Sequence, residues 1–334
     1  MAAVMAVQAK ETMRAIVQEG YGSADALRLT EIARPTLAEG YVLVRVRAAS
    51  VNALDWHAVH GGLMLRAAAM VMRQKDEPVR GVDLAGLVEA IGPGVTRFAP
   101  GDEVFGGAPA AFAEYVLARE DRLTLKPRGV TFEQAAAVGV AGRTALQGLR
   151  DHAQVKPGQR VLVNGAGGGV GTFAVQIAKA LGAHVTAVTS TRNVELIRSL
   201  GPDDVVDYTK EDFARRDERY DVVFDVAANR ALSDLRRVLA PDGILVLVGA
   251  DRRGGIAIFA RIGAAYVRSR VLKQRVVFFV AKPNVDDLVV LSELMEAGKV
   301  SPAIDRVYPL SEGVEAVRYL GTGQARAKVV ITMD

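Results

Sequence analysis

The sequence predicts an α/β protein with two units, a strand-rich first half and a second half built on a parallel β-sheet covered by helices. Three observations support this prediction. The chain has 334 residues, about twice the ~150 residues of an average domain. Half of its residues are apolar and 24% are charged, a balance that excludes a disordered chain. Continuous apolar segments alternate with amphipathic ones after Pro127, as in sheets that carry helices on both faces.

The first half of the sequence is expected to form short strands. Residues 41–48 alternate between apolar and polar side chains, which is the period of a half-buried strand. Residues 82–91 form a second apolar run, which ends at the turn signal Gly92-Pro93-Gly94. The other segments expected here are a loose tail and three short strands, at 1–12, 14–18, 102–105 and 113–117. This half is therefore expected to form a compact β-barrel or sandwich.

The second half predicts a regular alternation of strands and helices. A helix is expected over 131–149, because Thr131 can cap its N-terminus and Gln134 follows three positions later. The strands expected next are 160–164, 184–189, 205–207, 221–226, 243–248 and 275–281, and the helices are 169–181, 193–200 and 230–239. Helices 285–297 and 311–320 and strand 328–332 are expected to return to the first unit. The predicted domains are 13–136 with 282–334, and 137–281.

Composition excludes several classes of protein. Lysine and arginine number 42 against 38 acidic residues, and a net charge of +4 gives no general reason to expect nucleic-acid binding. The absence of cysteine excludes disulfides, a thiolate nucleophile and a cysteine-ligated zinc site. No apolar run approaches the ~18 residues of a membrane span. A cytoplasmic protein without a membrane segment is the resulting expectation.

The strongest local motif is a glycine-rich loop between a predicted strand and a predicted helix. Gly165, Gly168 and Gly171 have the spacing of a dinucleotide-binding loop. Small residues let backbone N–H groups approach a pyrophosphate, and the helix N-terminus attracts its negative charge. A phosphate-binding Walker loop is excluded, since Gly171 is followed by Thr172 and no lysine is adjacent. A tight turn without a ligand is the alternative.

The end of the next predicted strand indicates which dinucleotide is bound. An NAD site has an acidic residue about 20 positions after the glycines, which binds the ribose 2′-hydroxyl. This chain has Thr189-Ser190-Thr191-Arg192 instead, without a carboxylate. A carboxylate would repel a 2′-phosphate, whereas Arg192 can bind one through charge-assisted hydrogen bonds. NADPH is therefore the predicted cofactor, and a simple helix cap over these residues is the alternative.

The residues needed for ordinary alcohol–carbonyl interconversion are missing. The chain has no cysteine and four histidines, and a Tyr-x-x-x-Lys pair is absent. Asp55, His57 and His60 lie close together in the sequence, but a third firm metal ligand is not evident. Histidines in a loop that lines a pocket or faces solvent are the preferred interpretation. These absences favour reduction of quinones or activated C=C bonds, where conjugation carries charge to an oxygen that hydrogen-bond donors can stabilise.

Several segments resemble a known family. They are residues 49–55, 81–86, 101–106, 141–146 and 204–208, together with the glycine loop. Across residues 13–333 the chain resembles the zinc-free quinone oxidoreductase branch of the medium-chain dehydrogenase/reductase superfamily, which includes the reticulon-interacting NADPH oxidoreductases. The resemblance implies a GroES-like catalytic domain and a Rossmann domain, with NADPH in the cleft between them. Gly81-Val82-Asp83 replaces the Gly-His-Glu of zinc-dependent relatives, which removes a metal ligand.

The resemblance also implies the site residues. Asn52 and Asp55 occupy the polar positions of the substrate loop and are the candidate catalytic residues, without a metal. The residues implied to bind the cofactor are Thr144, Gly167, Gly168, Gly169, Val170, Ser190, Arg192, Tyr208, Phe279, Gln324, Ala325 and Arg326. Phe279 is implied to lie near the nicotinamide, and residues 324–326 belong to a C-terminal segment that returns to the cofactor.

The predicted function is NADPH-dependent, zinc-independent hydride transfer to a quinone or an α,β-unsaturated carbonyl. An enoyl reductase acting on acyl thioesters is one alternative, suggested by the basic residues between Arg252 and Arg275. An NADPH-binding sensor or interaction protein with little turnover is the other, because no proton donor is obvious. A homodimer is expected, since the apolar segment 276–280 is predicted to lie at a sheet edge.

Overall fold

A computed structural model describes residues 12–60, 78–248 and 273–333 of the chain. Two β-sheets and a separate hairpin organise these residues. The predicted tail over 1–12 lies outside the described residues except for Thr12, which begins the first strand. Most of the basic segment between Arg252 and Arg275 also lies outside them.

The first sheet has seven strands and is mainly antiparallel. Its strands are β3 (Tyr41–Val51), β4 (Asp83–Ile91), β5 (Glu103–Gly107), β6 (Tyr115–Arg119), β7 (Leu123–Leu125), β14 (Ile304–Pro309) and β15 (Lys328–Thr332). The order is β14-β15-β3-β4-β5-β7, with β6 also paired to β3. Strands β1 (Thr12–Gln18) and β2 (Leu27–Ala33) form the separate antiparallel hairpin. As predicted, the C-terminal strand returns to the N-terminal half, where β15 pairs with β3.

The second sheet has six parallel strands. They are β8 (Arg160–Asn164), β9 (His184–Thr189), β10 (Asp204–Asp207), β11 (Tyr220–Asp225), β12 (Leu239–Leu247) and β13 (Arg275–Phe278). The order β10-β9-β8-β11-β12-β13 places β8 and the chain segment that follows it at the centre of the sheet. Fully buried Val161, Val163 and Phe224 contribute to a core that packs against the helices. This arrangement confirms the predicted α/β fold, with a β-rich domain and a parallel sheet.

The helices account for most of the rest. They are α1 (Ala53–His60), α2 (Phe132–Ala136), α3 (Gly139–Leu146), α4 (Gly169–Ala180), α5 (Val194–Ser199), α6 (Leu232–Arg237), α7 (Val285–Glu296) and α8 (Gly313–Gly321). None of the helices in the described ranges is long and apolar enough to cross a membrane.

The helix predicted over 131–149 is wrong as a single element. The predicted capping box is present, because Thr131 accepts a hydrogen bond from the Gln134 backbone and Gln134 accepts one from Thr131 N–H. The helix nevertheless ends at Ala136, and α3 begins at Gly139 because the Asp83 carboxylate accepts a hydrogen bond from Val140 N–H at 2.9 Å. A π-helical turn, Gln147–His152, then follows α3.

The loop predicted around the histidines is also wrong. Residues 53–60 form α1, which is anchored at its start by Asp55 Oδ2 accepting a 2.8 Å hydrogen bond from Asn52 N–H. Polar residues at a helix start resemble a loop in sequence because both satisfy backbone groups locally. Strand β2 and strand β14 were missed for a related reason, since both carry charged residues at exposed positions.

Candidate functional site

The glycine loop connects β8 to α4 at the centre of the parallel sheet. Gly165 has φ +89°, a left-handed conformation that favours glycine. The N–H of Gly168 donates to Gly165 O at 3.2 Å within the turn. The next N–H groups, from Gly169 and Val170, belong to the first turn of α4, where helix geometry supplies no acceptor. Such donors, together with the helix dipole, are the groups that bind anions at helix N-termini in other proteins.

The C-terminal segment packs onto this loop. Ala327 N–H donates to Gly167 O at 2.8 Å, and Ala327 also forms a parallel bridge with Gly168. These backbone contacts place Ala327, the residue that follows 324–326, against the glycine loop. Within that segment, Arg326 N–H donates to Asp305 Oδ2 at 2.8 Å, and its guanidinium lies 3.4 Å from the same carboxylate. The Gln324 N–H donates to Thr322 Oγ1 at 3.2 Å.

Two buried side chains beside Gly167 have polar atoms without a partner. Thr189 is 3% exposed and Asn193 is 6% exposed. Thr189 Oγ1 and Asn193 Oδ1 have no hydrogen-bond partner among the described residues. A Cβ on Gly167 would collide with both side chains, so these two residues pack directly against the glycine loop. Unpaired buried polar atoms are costly, and the hydroxyls and phosphates of a dinucleotide are suitable partners.

The residues expected at the adenosine end meet at the ends of β9 and β10. Parallel pairing places Asp207 level with Thr189, and Tyr208 N–H donates to Thr189 O at 3.0 Å. Ser190 accepts a long 3.5 Å contact from Asn193 Nδ2. The Arg192 guanidinium lies 3.4 Å from Gly323 O, which ties it to the C-terminal segment. The Tyr208 side chain is exposed.

Thr144 lies in α3, and Phe279 is the residue after the last strand of the parallel sheet. Thr144 Oγ1 donates to Val140 O at 2.7 Å within α3. Phe279 follows β13, and its ring lies 4.3 Å from the His152 ring of the π-helical turn. A Cβ on Gly148 would lie 3.1 Å from the Phe279 ring, so this glycine permits the contact. The ring therefore packs against the turn at the carboxyl edge of the sheet.

A buried polar cluster lies where β3, β4 and β15 meet. It consists of Ser50, Asn52, Asp55, Asp83 and Lys328, all of them buried. Asn52 Nδ2 donates to Asp83 Oδ2 at 3.0 Å and to Ser50 O at 3.2 Å. Asn52 Oδ1 accepts a 2.5 Å hydrogen bond from Lys328 Nζ. Both N–H bonds of the Asn52 amide are therefore in use, and this side chain is held in one orientation.

Lys328 connects this cluster to the glycine loop. A Cβ on Gly169 would lie 3.0 Å from Lys328 Cδ, so the lysine stem runs along the start of α4. The ammonium donates to Asn52, a residue 276 positions earlier in the chain. In the part of the chain that the structure describes, Lys328 forms no ion pair, and two of its three N–H bonds have no partner. Sequence reasoning missed this residue, although a lysine that opens a strongly apolar strand is an unusual feature.

The cluster shifts the ionisation of two groups. Burial raises the pKa of the Asp55 carboxyl to about 7, and the negative charge of Asp83 adds to this effect. The backbone hydrogen bond from Asn52 and the charge of Lys328 oppose it. Burial lowers the pKa of the Lys328 ammonium, while the charges of Asp83 and Asp55 oppose that shift. The cluster thus holds a protonated or readily protonated carboxyl beside a buried cation near neutral pH.

The two histidines of α1 are turned toward Trp56. The rings of His60 and Trp56 are stacked with centroids 3.8 Å apart, and His60 Nδ1 lies 2.9 Å from Trp56 O. His57 makes an edge contact with the same tryptophan. Within residues 12–60, 78–248 and 273–333, no group of three or more His, Cys, Asp or Glu side chains is placed to hold a metal ion.

The fold and the site define an oxidoreductase of the two-domain type, with a dinucleotide-binding sheet beside a β-rich domain. Comparison with known proteins agrees. Residues 38–128 match the family model of the alcohol dehydrogenase GroES-like domain, and residues 200–331 match that of the zinc-binding dehydrogenases. A 2-methylene-furan-3-one reductase from Solanum lycopersicum is 34% identical, with 96% of this chain and 79% of the relative covered.

Two solved structures extend the comparison. The quinone oxidoreductase from Coxiella burnetii has a TM-score of 0.85 and 30% identity, over 97% of this chain and 100% of that one. The CurK enoyl reductase has a TM-score of 0.84 and 26% identity, over 96% of this chain and 99% of that one. The chain belongs to the medium-chain dehydrogenase/reductase superfamily, in its zinc-free quinone oxidoreductase branch.

The raised pKa of Asp55 predicts a specific pH dependence of stability. The folded protein keeps a proton on this carboxyl that the unfolded chain loses above pH ~4. Its contribution therefore falls as the pH rises from ~4 to about 7. The isosteric Asp55→Asn variant lacks this titration. As the pH rises from ~4 to about 7, its free energy of unfolding should therefore increase by roughly 2–4 kcal/mol relative to that of the native chain.

Urea unfolding of both proteins at several pH values measures this difference. Asp83 and Lys328 are the charged groups that act on Asp55, and both are retained in the variant. A difference in unfolding free energy that stays constant between pH 4 and pH 7 would show that Asp55 does not titrate there.

Proposed function

We propose that the protein is an NADPH-dependent, zinc-independent oxidoreductase that transfers a hydride to a quinone or an α,β-unsaturated carbonyl. The observation that carries this proposal is the pair of unpartnered buried atoms, Thr189 Oγ1 and Asn193 Oδ1, on side chains that pack against Gly167 in the loop before α4. A dinucleotide supplies both the anion for the helix N-terminus and the hydroxyl groups for these side chains.

In this proposal the residues at the carboxyl edge of the parallel sheet bind the cofactor. Gly167, Gly169 and Val170 bind its pyrophosphate, and Thr189 and Asn193 bind the adjoining hydroxyl groups. Ser190, Arg192 and Tyr208 hold the 2′-phosphate, for which the exposed guanidinium of Arg192 is the strongest attraction. The dihydronicotinamide of bound NADPH supplies the hydride. Thr144 and Phe279 lie beside the nicotinamide end of the cofactor, and the contact with His152 fixes the Phe279 ring.

In this proposal the buried cluster acts on the substrate that accepts the hydride. The Asn52 amide has no N–H left for a substrate, so its role is to position Lys328 and Asp83. Two N–H bonds of the Lys328 ammonium remain for the acceptor oxygen, where negative charge develops as the hydride arrives. Asp55 holds a proton near neutral pH and can donate it to the anion that forms when the acceptor takes up the hydride.

Zinc independence rests on which groups occupy this cluster. The segment 81–83 has valine and aspartate where zinc-dependent relatives have histidine and glutamate. The Lys328 ammonium lies against Asn52 Oδ1 and gives the cluster its positive charge. A second cation beside a buried ammonium would be repelled.

Cofactor oxidation with a panel of acceptors tests the function. NADPH with quinones and free enones should give turnover, and Arg192→Gln should weaken NADPH binding about tenfold while leaving NADH binding unchanged. Arg198→Gln is the matched control, because Arg198 is exposed and pairs with Glu195 on the same segment. Failure of every acceptor, or equal loss of both dinucleotides in the Arg192 variant, would contradict the proposal.

Reduction of acyl thioesters is a second candidate function. The similarity to the CurK enoyl reductase favours it. The same hydride transfer and the same cluster would serve a thioester, since its carbonyl also carries charge to oxygen. Comparing kcat/KM for an enoyl thioester and for the corresponding free enone separates the two functions.

We also propose a homodimer formed through β13. This strand lies at the end of the parallel sheet, and the adjoining Phe278 and Val280 are 41% and 75% exposed. An apolar sheet edge is a template for pairing with a second chain. The mass in solution should therefore be twice 35.6 kDa.

Val280→Lys should shift that mass toward the monomer at micromolar concentration, because it places a charge at the apolar edge. Val307→Lys is the control, since Val307 is 50% exposed on β14 of the other sheet. A monomeric native protein, or a Val280 variant that remains dimeric, would overturn this proposal.

A further inference from the structure

A carboxylate lies next to the adenosine end of the proposed cofactor site, although none is present among residues 190–194 directly after β9. Asp207 is the last residue of β10, and the parallel register places it level with Thr189, the last residue of β9. That level is where an acidic residue selects NAD in dinucleotide-binding sheets, by binding the ribose 2′-hydroxyl. The local sequence alone therefore gives an incomplete account of the charges at this position.

The Asp207 carboxylate is held by residues of its own protein. Thr191 Oγ1 donates to Oδ2 at 2.6 Å, and Thr209 Oγ1 donates to Oδ1 at 2.7 Å. The Thr209 N–H adds a third hydrogen bond to Oδ1 at 3.0 Å. The Lys210 ammonium lies 3.7 Å from Oδ2. Both carboxylate oxygens are thus engaged, and Asp207 is 9% exposed.

These contacts change what the carboxylate can do. A carboxylate oxygen that already accepts short hydrogen bonds is a poorer acceptor for a ribose hydroxyl. The hydrogen bond from Thr191 is also the main reason that the pKa of Asp207 is lowered, so the group stays ionised. Its charge is balanced by Lys210, and Arg192 lies on the adjoining turn. The surroundings therefore accept a phosphate despite the nearby acid.

We propose that Asp207 is a specificity-determining residue for the cofactor, and that Thr191 and Thr209 set its specificity by confining its carboxylate. While both hydroxyls hold Asp207, the site favours the 2′-phosphate. When they are removed, the carboxylate is free to accept a hydrogen bond from a ribose 2′-hydroxyl, and its charge can approach a 2′-phosphate more closely and repel it more strongly. This proposal rests on the proposed use of NADPH.

The test measures dissociation constants of NADPH and NADH by fluorescence titration, without any acceptor. In the Thr191→Val/Thr209→Val variant, the preference for NADPH over NADH should fall about tenfold. The matched Thr191→Ser/Thr209→Ser variant keeps both hydroxyls and should retain the native preference. Adding Asp207→Asn to the valine pair should restore most of the preference, because the neutral amide no longer repels phosphate.

The outcomes separate this proposal from the proposed function. A native protein that binds neither dinucleotide, or prefers NADH, contradicts the proposed function itself. A native preference for NADPH that stays within twofold in the folded valine pair overturns the role of Thr191 and Thr209. If the valine pair loses the preference for NADPH and does not regain it when Asp207→Asn is added, the role of Asp207 is overturned. If the valine pair does not fold, Thr191→Val alone carries the comparison, because the Thr191 hydroxyl donates the hydrogen bond to Asp207 Oδ2.

Discussion

The hydrogen bond between Lys328 Nζ and Asn52 Oδ1, 2.5 Å long and buried, is the contact on which the site depends. Burying an ammonium is costly unless it is hydrogen-bonded and balanced by opposite charge. Asp83 supplies that charge, Asp55 adds to it when its own carboxyl ionises, and Asn52 supplies the acceptor. The lysine thereby fixes the start of α1, the end of β3 and the first residue of β15 relative to one another. Its stem also contacts the start of α4, so the acceptor side and the cofactor loop share one residue.

The parallel sheet places the remaining residues of the site at one edge. Strands β8, β9 and β10 end at the glycine loop, at Thr189 and at Asp207, which lie side by side because the strands run in the same direction. Ligands bind at such carboxyl edges in open α/β sheets. The C-terminal segment closes this edge through the Ala327–Gly167 hydrogen bond. Strand β15 pairs with β3 in the first sheet, and the segment that precedes it contacts the glycine loop of the second sheet.

The sequence predicted the features that depend on local pattern. The alternation of strands and helices, the glycine loop and the cap at Thr131 follow from periodicity and spacing, and the structure contains them. The single helix over 131–149 could not be corrected locally, because the group that sets the start of α3 is Asp83, 57 residues before Val140. Helix α1 was missed because Asn52 and Asp55, the polar residues at its start, are also typical of a loop.

The same reasoning explains the residues that the sequence did not reveal. Lys328 meets Asn52 across 276 positions, and Thr191 meets Asp207 only when β9 and β10 pair. Thr189 and Asn193 become conspicuous only once their oxygens are buried without a partner. Each of these features is a tertiary contact, for which spacing in the chain carries no signal.

The most direct test of this account is the rate of hydride transfer in a single turnover, with saturating NADPH and a quinone, for Lys328→Met and Lys328→Arg. Saturation with NADPH removes any effect on cofactor affinity. If the Lys328 ammonium stabilises the charge that forms on the acceptor oxygen, methionine should slow this step about a hundredfold. Arginine, which keeps the charge, should slow it much less. A folded methionine variant whose rate stays within about threefold of the native rate would contradict the account.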